Sequence, residues 1–299
     1  MDLQKTYDEN DWKKELLAKM IIGITGSSIE KTRVYDEIGY FYQCYAPASL
    51  YKYYSDTKLN FETIKNNSMW YSAPCNFNDI FDCNISIDDE KIFNNALNLF
   101  PNKRGVRTGS PMWKKLKEEI NRGLYMLETQ FNELRNTTGI SCFSEREDSL
   151  LMWAHYANNH RGICVEYNLL NINKELGFTA VPIIYSNDRT CFDSIESYGE
   201  KDIWEFFIES LTSKSMEWNY EKEWRIIRDQ VACGSQWDVN KKGALLKMIR
   251  PDSIILGCAT NLEFEKEIMR YCDDNKIKLY KMKKDQYEYK LNKIPILKF

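Results

Sequence analysis

The feature that most constrains this chain's fold is a succession of short aromatic or aliphatic runs at irregular intervals. LYKYYS (50–55), SMWYSAP (68–74), GISCFS (139–144), ICVEY (163–167), FTAVPIIYS (178–186), YEKEWRIIRD (220–229), PDSIILG (251–257) and KIKLYKM (276–282) each read as a strand, because each is short, rich in β-formers and bounded by turn residues. Helical patterns of uneven length separate them, without regular βαβ spacing. That favours an α+β fold, a central mixed or antiparallel sheet flanked by helices, over a doubly wound one. A helix and then KIKLYKM are expected to close the chain.

The N-terminal 49 residues read differently. DENDWKKELLAKMI places Leu16, Leu17 and Met20 at helical spacing, and Ser27 with Glu30 forms a capping box ahead of Val34, Ile38 and Phe41. Residues 1–49 are therefore expected to form a helical extension appended to a domain spanning 50–299. Within that domain Asp56 is the expected cap of a helix carrying Leu59 and Ile64. Residues 88–138 are expected to be helical around PNKRGVRTGSP (101–111), whose Gly, Pro and basic residues mark a flexible loop. DIWEFFIESLTSKSMEW (202–218) reads as one long amphipathic helix.

Composition bounds the function. A chain of 299 residues, 43% hydrophobic and 28% charged, can bury a core without disulfides or metals. Its net charge of −3 gives no global attraction to nucleic acid or anionic membrane. The nine cysteines include no CxxC pair, so free thiols in a reducing cytoplasm are expected. The first apolar run, LLAKMIIGI, is broken by Lys19 and too short for a bilayer, so neither a signal peptide nor a membrane anchor is expected. Aromatics make up 14% of the chain, enough to line a pocket for a planar ligand as well as a core.

Three constellations are candidates for chemistry. SLLMWAHYANNHRGICVEY (149–167) holds both histidines of the chain, His155 and His160. It reads as a helix opened by a Ser144/Glu147 capping box and closed at Arg161-Gly162, with Trp153, Tyr156 and His160 on one face. The His-x4-His spacing is not the i, i+4 pair that a helix presents to zinc. The segment is either an aromatic helix packed on the sheet or one wall of a flat-ligand pocket made by Trp153, His155 and Tyr156. In YEKEWRII (220–227), strand alternation puts Glu221, Glu223 and Arg225 on one face, and Tyr220, Lys222, Trp224 and Ile226 on the other. Either this is a solvated edge with a Glu–Arg cross-pair, or the charged face looks into a cleft and the aromatic one into the core. NFNDIFD (76–82) offers Asn78, Asp79 and Asp82, an oxygen set for a divalent cation or an Asx-turn. GxGxxG, GxxxxGK[ST], GxSxG and HExxH are all absent, which demotes Rossmann enzymes, P-loop NTPases, serine hydrolases and zincins.

LYKY (50–53), MWYSAPCNFNDIFD (69–82), SCFSEREDSLLMWAHYANNHRGICVEY (141–167), WNYEKEWRII (218–227) and SIILG (253–257), in this order, resemble the bacterial family called domain of unknown function 2971. That resemblance runs from about Leu50 towards the C-terminus and implies no activity by itself. The layout is also similar to ADP-ribosyltransferases, which carry a basic first-strand residue, a serine strand and a late ExE strand. The matching parts are Lys52, Ser141 or Ser144, and Glu221-Lys222-Glu223. Lys52 stands where that superfamily has Arg or His, and SCFS where it has STS. The comparison implies an NAD-consuming transferase or glycohydrolase, an effector in anti-phage defence, with no metal. Glu223 would stabilise an oxocarbenium-like state and Glu221 would position or deprotonate the acceptor. Tyr51, Lys52, Tyr53, Ser141, Ser144, Trp153, His155, Tyr156 and Arg225 would surround the nucleotide. Two other classes stand beside it. One is a metal-dependent nuclease or phosphodiesterase using Asp79, Asp82, Glu166 and Glu223. The other is a non-catalytic sensor of a nucleotide or phage component, with the N-terminal helices docking a partner or a second copy.

Overall fold

The computed structural model describes residues 9–98, 108–177, 180–193 and 200–298. The expected flexible loop at 101–111 and the start of FTAVPIIYS thus lie largely or partly outside the described residues. The fold is α+β, built on a mixed sheet of eleven strands. From one edge the order is β11 (Trp237–Asp238), β12 (Gly243–Lys247), β2 (Ser68–Ser72), β4 (Thr138–Ser144), β1 (Ser49–Tyr54), β5 (Ile163–Asn168), β13 (Ser253–Leu256), β14 (Lys278–Lys284) and β15 (Leu291–Leu297). Off this path β10 (Glu223–Asp229) pairs with β4 and with β6 (Ala180–Pro182). Two small parallel pairs complete the strands: β3 (Ser86–Ile87) with β8 (Cys191–Phe192), and β7 (Ile184–Ser186) with β9 (Ser213–Ser215).

The helices are α1 (Glu9–Thr25), α2 (Ser28–Tyr45), α3 (Lys58–Lys65), α4 (Asp89–Asn98), α5 (Pro111–Thr137), α6 (Leu150–Tyr156), α7 (Leu169–Leu176), α8 (Glu200–Thr212), α9 (Gln230–Cys233) and α10 (Leu262–Asn275). The Ser27/Glu30 capping box opens α2 as expected. Thr57, not Asp56, caps α3. Its neighbour Asp56 accepts instead from Asn158 Nδ2 at 2.7 Å, tying α3's entry to the turn after α6. The strand β15 was not foreseen. Its alternation is blurred by Pro295, a residue without a backbone N–H that is confined in sheets largely to edge strands such as this one.

Consecutive residues of the central strands enter different cores. Val165, Ile254 and Leu256 join the main cluster with Leu50, Tyr167 and Leu279, while Cys164 and Ile255 join a second one with Tyr53, Trp153 and Met282. Burial on both faces is why ICV and SIIL read as unbroken apolar runs. A third cluster, around Ile92, Phe131, Phe206 and Phe207, joins α4, α5 and α8 to the other end of the sheet.

The sheet splits at β4. One edge of β4 pairs with β10 along its whole length, from Thr138↔Asp229 to Ser144↔Glu223. The other edge is shared: β1 meets it at Ser144 and β2 at Ile140. Between these two positions Cys142 faces a gap, and the gap is a cleft.

The N-terminal helices pack on the same core rather than standing off it. Trp12, Leu16, Val34, Ile38 and Phe41 belong to the main cluster with Trp224 and Ile226. The Trp12 ring stacks on Tyr45 at 5.8 Å and lies 6.2 Å from Trp224 on β10. Tyr42 donates its hydroxyl to the Ala180 carbonyl. The back of β10 is thus sealed by α1 and α2, which leaves its front for the cleft. Truncating Trp12 to Ala is expected to cost about 3–5 kcal/mol, as for other buried Trp side chains. Urea unfolding of Trp12→Ala measures this, and a loss under about 1 kcal/mol would show that the helices do not support the sheet.

Candidate functional site

The cleft at the split has a volume of about 540 Å³. Its walls are largely aromatic: Tyr51, Tyr53 and Tyr54 from β1, Trp70 from β2, Phe143 from β4, and Phe77 and Tyr156. Its floor is charged, made by Asp82, Lys214, Glu221 and Glu223. Arg225 lies behind this floor with no exposure at all.

The local backbone explains how the two glutamates meet. Glu223 opens β10, but Glu221 ends a 3₁₀ turn spanning Met216–Glu221. Lys222 between them is left-handed, with φ 44° and ψ 56°. The expected strand alternation therefore begins only at Glu223. The kink at Lys222, not a pleat, brings Glu221 beside Glu223 and turns Lys222 away. Ser144 holds the turn in place by donating Oγ–H to the Glu221 carbonyl at 2.6 Å.

Arg225 organises the floor. Its Nε donates to Glu223 Oε1 at 2.7 Å and its Nη2 to Asp82 Oδ2 at 2.7 Å. Its Nη1 donates to the Leu211 carbonyl at 2.8 Å and to Cys83 Sγ at 3.1 Å. Lys214 sits on the cleft side, donating to Glu221 Oε2 at 2.6 Å and Glu223 Oε2 at 2.9 Å, with Asp82 Oδ2 at 3.6 Å. Tyr156 donates its hydroxyl to the remaining Glu221 oxygen at 2.6 Å. Three buried carboxylates thus face two buried cations, leaving one negative charge when all are ionised.

That surplus falls on Glu221. Burial pushes its carboxyl up, and although Lys214 opposes this, the neighbouring Glu223 adds to the rise. Burial acts the same way on Glu223, but Arg225 and Lys214 together outweigh it and hold that carboxyl well below its usual range. Lys214, where burial alone would lower the pKa, is raised well above an ordinary lysine by Glu223 first and then by Asp82 and Glu221. Two carboxylates two residues apart are thereby driven in opposite directions, the pattern expected where one must carry a proton and the other must not.

The cleft brings together Tyr51, Lys52, Tyr53, Tyr156, Glu221 and Glu223. It does not include the other expected residues. Trp153 has no exposure and donates Nε1 to the Glu147 carbonyl at 2.7 Å, so it is core, not wall. His155 is exposed on the outer side of α6, against Tyr156 and Tyr220. Ser141, Ser144 and Arg225 are buried behind the lining. Ser149, not Ser144, caps α6, and the helix stops at Tyr156. Asn158, Asn159 and His160 then follow in left-handed conformation, so His160 never joins a helical face with Trp153. Gly162 is required by close approach, since a Cβ there would lie 2.0 Å from the Tyr54 carbonyl oxygen.

The acids of NFNDIFD and β5 part company. Asp82 is bound to Arg225, while Asp79 Oδ1 accepts from the Phe81 N–H at 2.9 Å in an Asx-turn. Glu166 accepts from Ser253 Oγ at 2.5 Å. Among the described residues no group of three or more His, Cys, Asp or Glu side chains is arranged to hold a metal ion. Lys214 is the cleft residue that sequence reasoning missed, and Asp82, expected as a cation ligand or turn residue, instead answers Arg225. Lys214 was hidden inside an expected helix that in fact ends at Thr212, where Thr212 Oγ1 turns back to the Ile208 carbonyl at 2.7 Å. The short alternation Ser-Lys-Ser that follows was the available signal.

Linkage gives the sign of a pH effect. A carboxyl whose pKa is raised on folding contributes stability that is present at low pH and lost as pH rises through the raised value. Glu221→Gln, which keeps the hydrogen-bonding shape without the charge, is expected to flatten the loss of stability above the usual carboxylate range. Thermal unfolding of both proteins between about pH 4 and 8 tests this. Parallel curves would contradict the assignment of the surplus charge to Glu221.

No helix among the described residues is long and apolar enough to cross a membrane, and all nine cysteines are unpaired. No curated protein and no solved structure matches the chain. One family model does, over residues 152–226, a span that carries Tyr156, Lys214, Glu221, Glu223 and Arg225. That span, from α6 through most of β10, matches the family described as protein of unknown function DUF2971, the family its LMWAHYANNHRG and YEKEWR blocks resemble.

Proposed function

We propose that the protein is an NAD-consuming enzyme, a glycohydrolase or ADP-ribosyltransferase, with the split-sheet cleft as its active site. The observation that carries this reading is the meeting of Glu221 and Glu223 around Lys214 on the floor of one aromatic-walled cleft, the first carboxyl pushed up by burial and the second held down by Arg225 and Lys214. The aromatic side chains suit a planar ring, and the surplus negative charge below them suits a ring that is cationic, as nicotinamide is before it leaves. Lys52 on the wall supplies a donor for ribose hydroxyls.

Bond cleavage in such a substrate builds positive charge on the ribose, in an oxocarbenium-like state. A floor that gains one negative charge when Glu221 ionises stabilises that state electrostatically. Glu221, rather than Glu223, is assigned the proton transfer to or from the acceptor. Arg225 and Lys214 together hold both Glu223 oxygens, whereas Glu221 meets Lys214 on one oxygen and on the other accepts the Tyr156 hydroxyl at 2.6 Å, a partner that can pass a proton. Glu223 then acts as the fixed charge that keeps Lys214 in place. Glu221 thereby keeps the acceptor role that the ExE pattern implied, and Glu223 supplies its charge from a fixed position.

The test is nicotinamide release from NAD by the purified protein, followed by chromatography in the presence of EDTA. Release is expected from the wild type and a fall of about 10²–10⁴-fold in Glu221→Gln, the usual size of a general acid–base contribution. An unchanged rate in Glu221→Gln overturns the assignment. Magnesium-dependent cleavage of nucleic acid, with no nicotinamide released, overturns the whole reading.

A further inference from the structure

The cleft also holds a lysine in an unusual setting. Lys52 Nζ lies beside the rings of Phe143 and Tyr54, at 5.3 and 5.8 Å from their centroids. It donates to a neutral acceptor, the Cys142 carbonyl, at 2.9 Å, the group left exposed where the sheet splits. Among the described residues no carboxylate stands within ion-pair distance of it. Lys214 is the opposite case, pinned by Glu221 and Glu223 with Asp82 close by. The two lysines share one cavity but not one chemistry.

We infer that Lys52 is a carbonyl-capturing amine, and that the cleft takes a ligand bearing an aldehyde or ketone and holds it as a Schiff base on Nζ. An amine with aromatic neighbours, one neutral hydrogen-bond acceptor and a cavity beside it has what favours imine formation: no carboxylate to hold it as a cation, and room for the carbonyl carbon. Burial lowers the Lys52 pKa, and the opposing pull of Cys142 and Glu223 does not restore it.

The step balances without a co-reactant. The Nζ lone pair attacks the carbonyl carbon, the π pair moves to oxygen, and that oxygen takes one of the protons from the now cationic nitrogen to give a neutral carbinolamine. A proton from solvent then joins the hydroxyl, water leaves carrying the former carbonyl oxygen, and the nitrogen lone pair closes the protonated imine. The Cys142 carbonyl keeps its hydrogen bond to nitrogen throughout, because the imine nitrogen still carries one hydrogen. The inference needs only the amine and the cavity, so it stands or falls separately from nicotinamide release.

Reductive trapping tests it. The full-length protein is incubated at neutral pH with pyridoxal 5′-phosphate and, separately, with acetaldehyde, then reduced with borohydride and mapped by peptide mass spectrometry. Lys52 is expected to be labelled about tenfold faster or more than exposed lysines such as Lys241, because surface amines are almost wholly protonated at that pH. The label at that peptide should vanish in Lys52→Arg, which keeps a donor for the Cys142 carbonyl but has no amine to form an imine. Selective labelling by either probe supports the inference, the smaller one alone restricting the size of the ligand. Labelling of Lys52 no faster than Lys241 by both probes overturns it.

Discussion

A guanidinium cannot shed its charge inside a protein, so burying Arg225 completely obliges the surrounding chain to answer all of its N–H groups. That obligation gathers distant segments: Asp82 from the loop after β2, the Leu211 carbonyl from the end of α8, and Glu223 from β10 itself. Once Asp82 and Glu223 are held there, Lys214 is drawn in on the cleft side and brings Glu221 with it. The site is therefore a layered charge pair, with Arg225 the inner cation and Lys214 the outer one. Only the outer layer meets the cavity.

The cavity has a separate cause. Because β10 fills one edge of β4, both β1 and β2 must share the other, and they diverge from it. The gap leaves an unpaired backbone carbonyl at Cys142, which Lys52 satisfies from β1. A structural necessity of the split sheet thus places an amine in the cleft opposite the charged floor. The N-terminal helices contribute from behind. By packing Trp12 and Tyr42 against Trp224 they bury the back of β10 and leave the charged side as its only open face.

Much of this was legible in the chain. Irregular spacing of short strands gave the α+β class, and alternation from Glu223 to Ile226 correctly separated the charged face from the apolar one. The aromatic content pointed to a cleft with flat walls. What the sequence could not carry was set by long-range pairing. Nothing near Asp82 announces a partner 143 residues away, and local pattern cannot show that β4 has two neighbours on one edge. Local rules failed where tertiary bonds override them. Lys222 takes a left-handed conformation that a strand reading excludes, and α8 ends early so that Lys214 can reach the carboxylates. The histidine segment drew attention by composition, yet of it only Met152 and Tyr156 reach the cleft.

The central claim is that Arg225 and Glu223 are worth little alone and much together. A double-mutant cycle with Arg225→Met and Glu223→Gln, read by denaturant unfolding, measures this directly. Arg225→Met leaves Asp82 and Glu223 without their inner cation and is expected to cost about 3–5 kcal/mol. Glu223→Gln, which leaves Arg225 with Asp82 and Lys214 with Glu221, is expected to cost less. The double mutant should lose less than the sum by about 1–3 kcal/mol, the coupling of residues in one buried network. Additive losses, with no coupling beyond about 0.5 kcal/mol, would contradict the account.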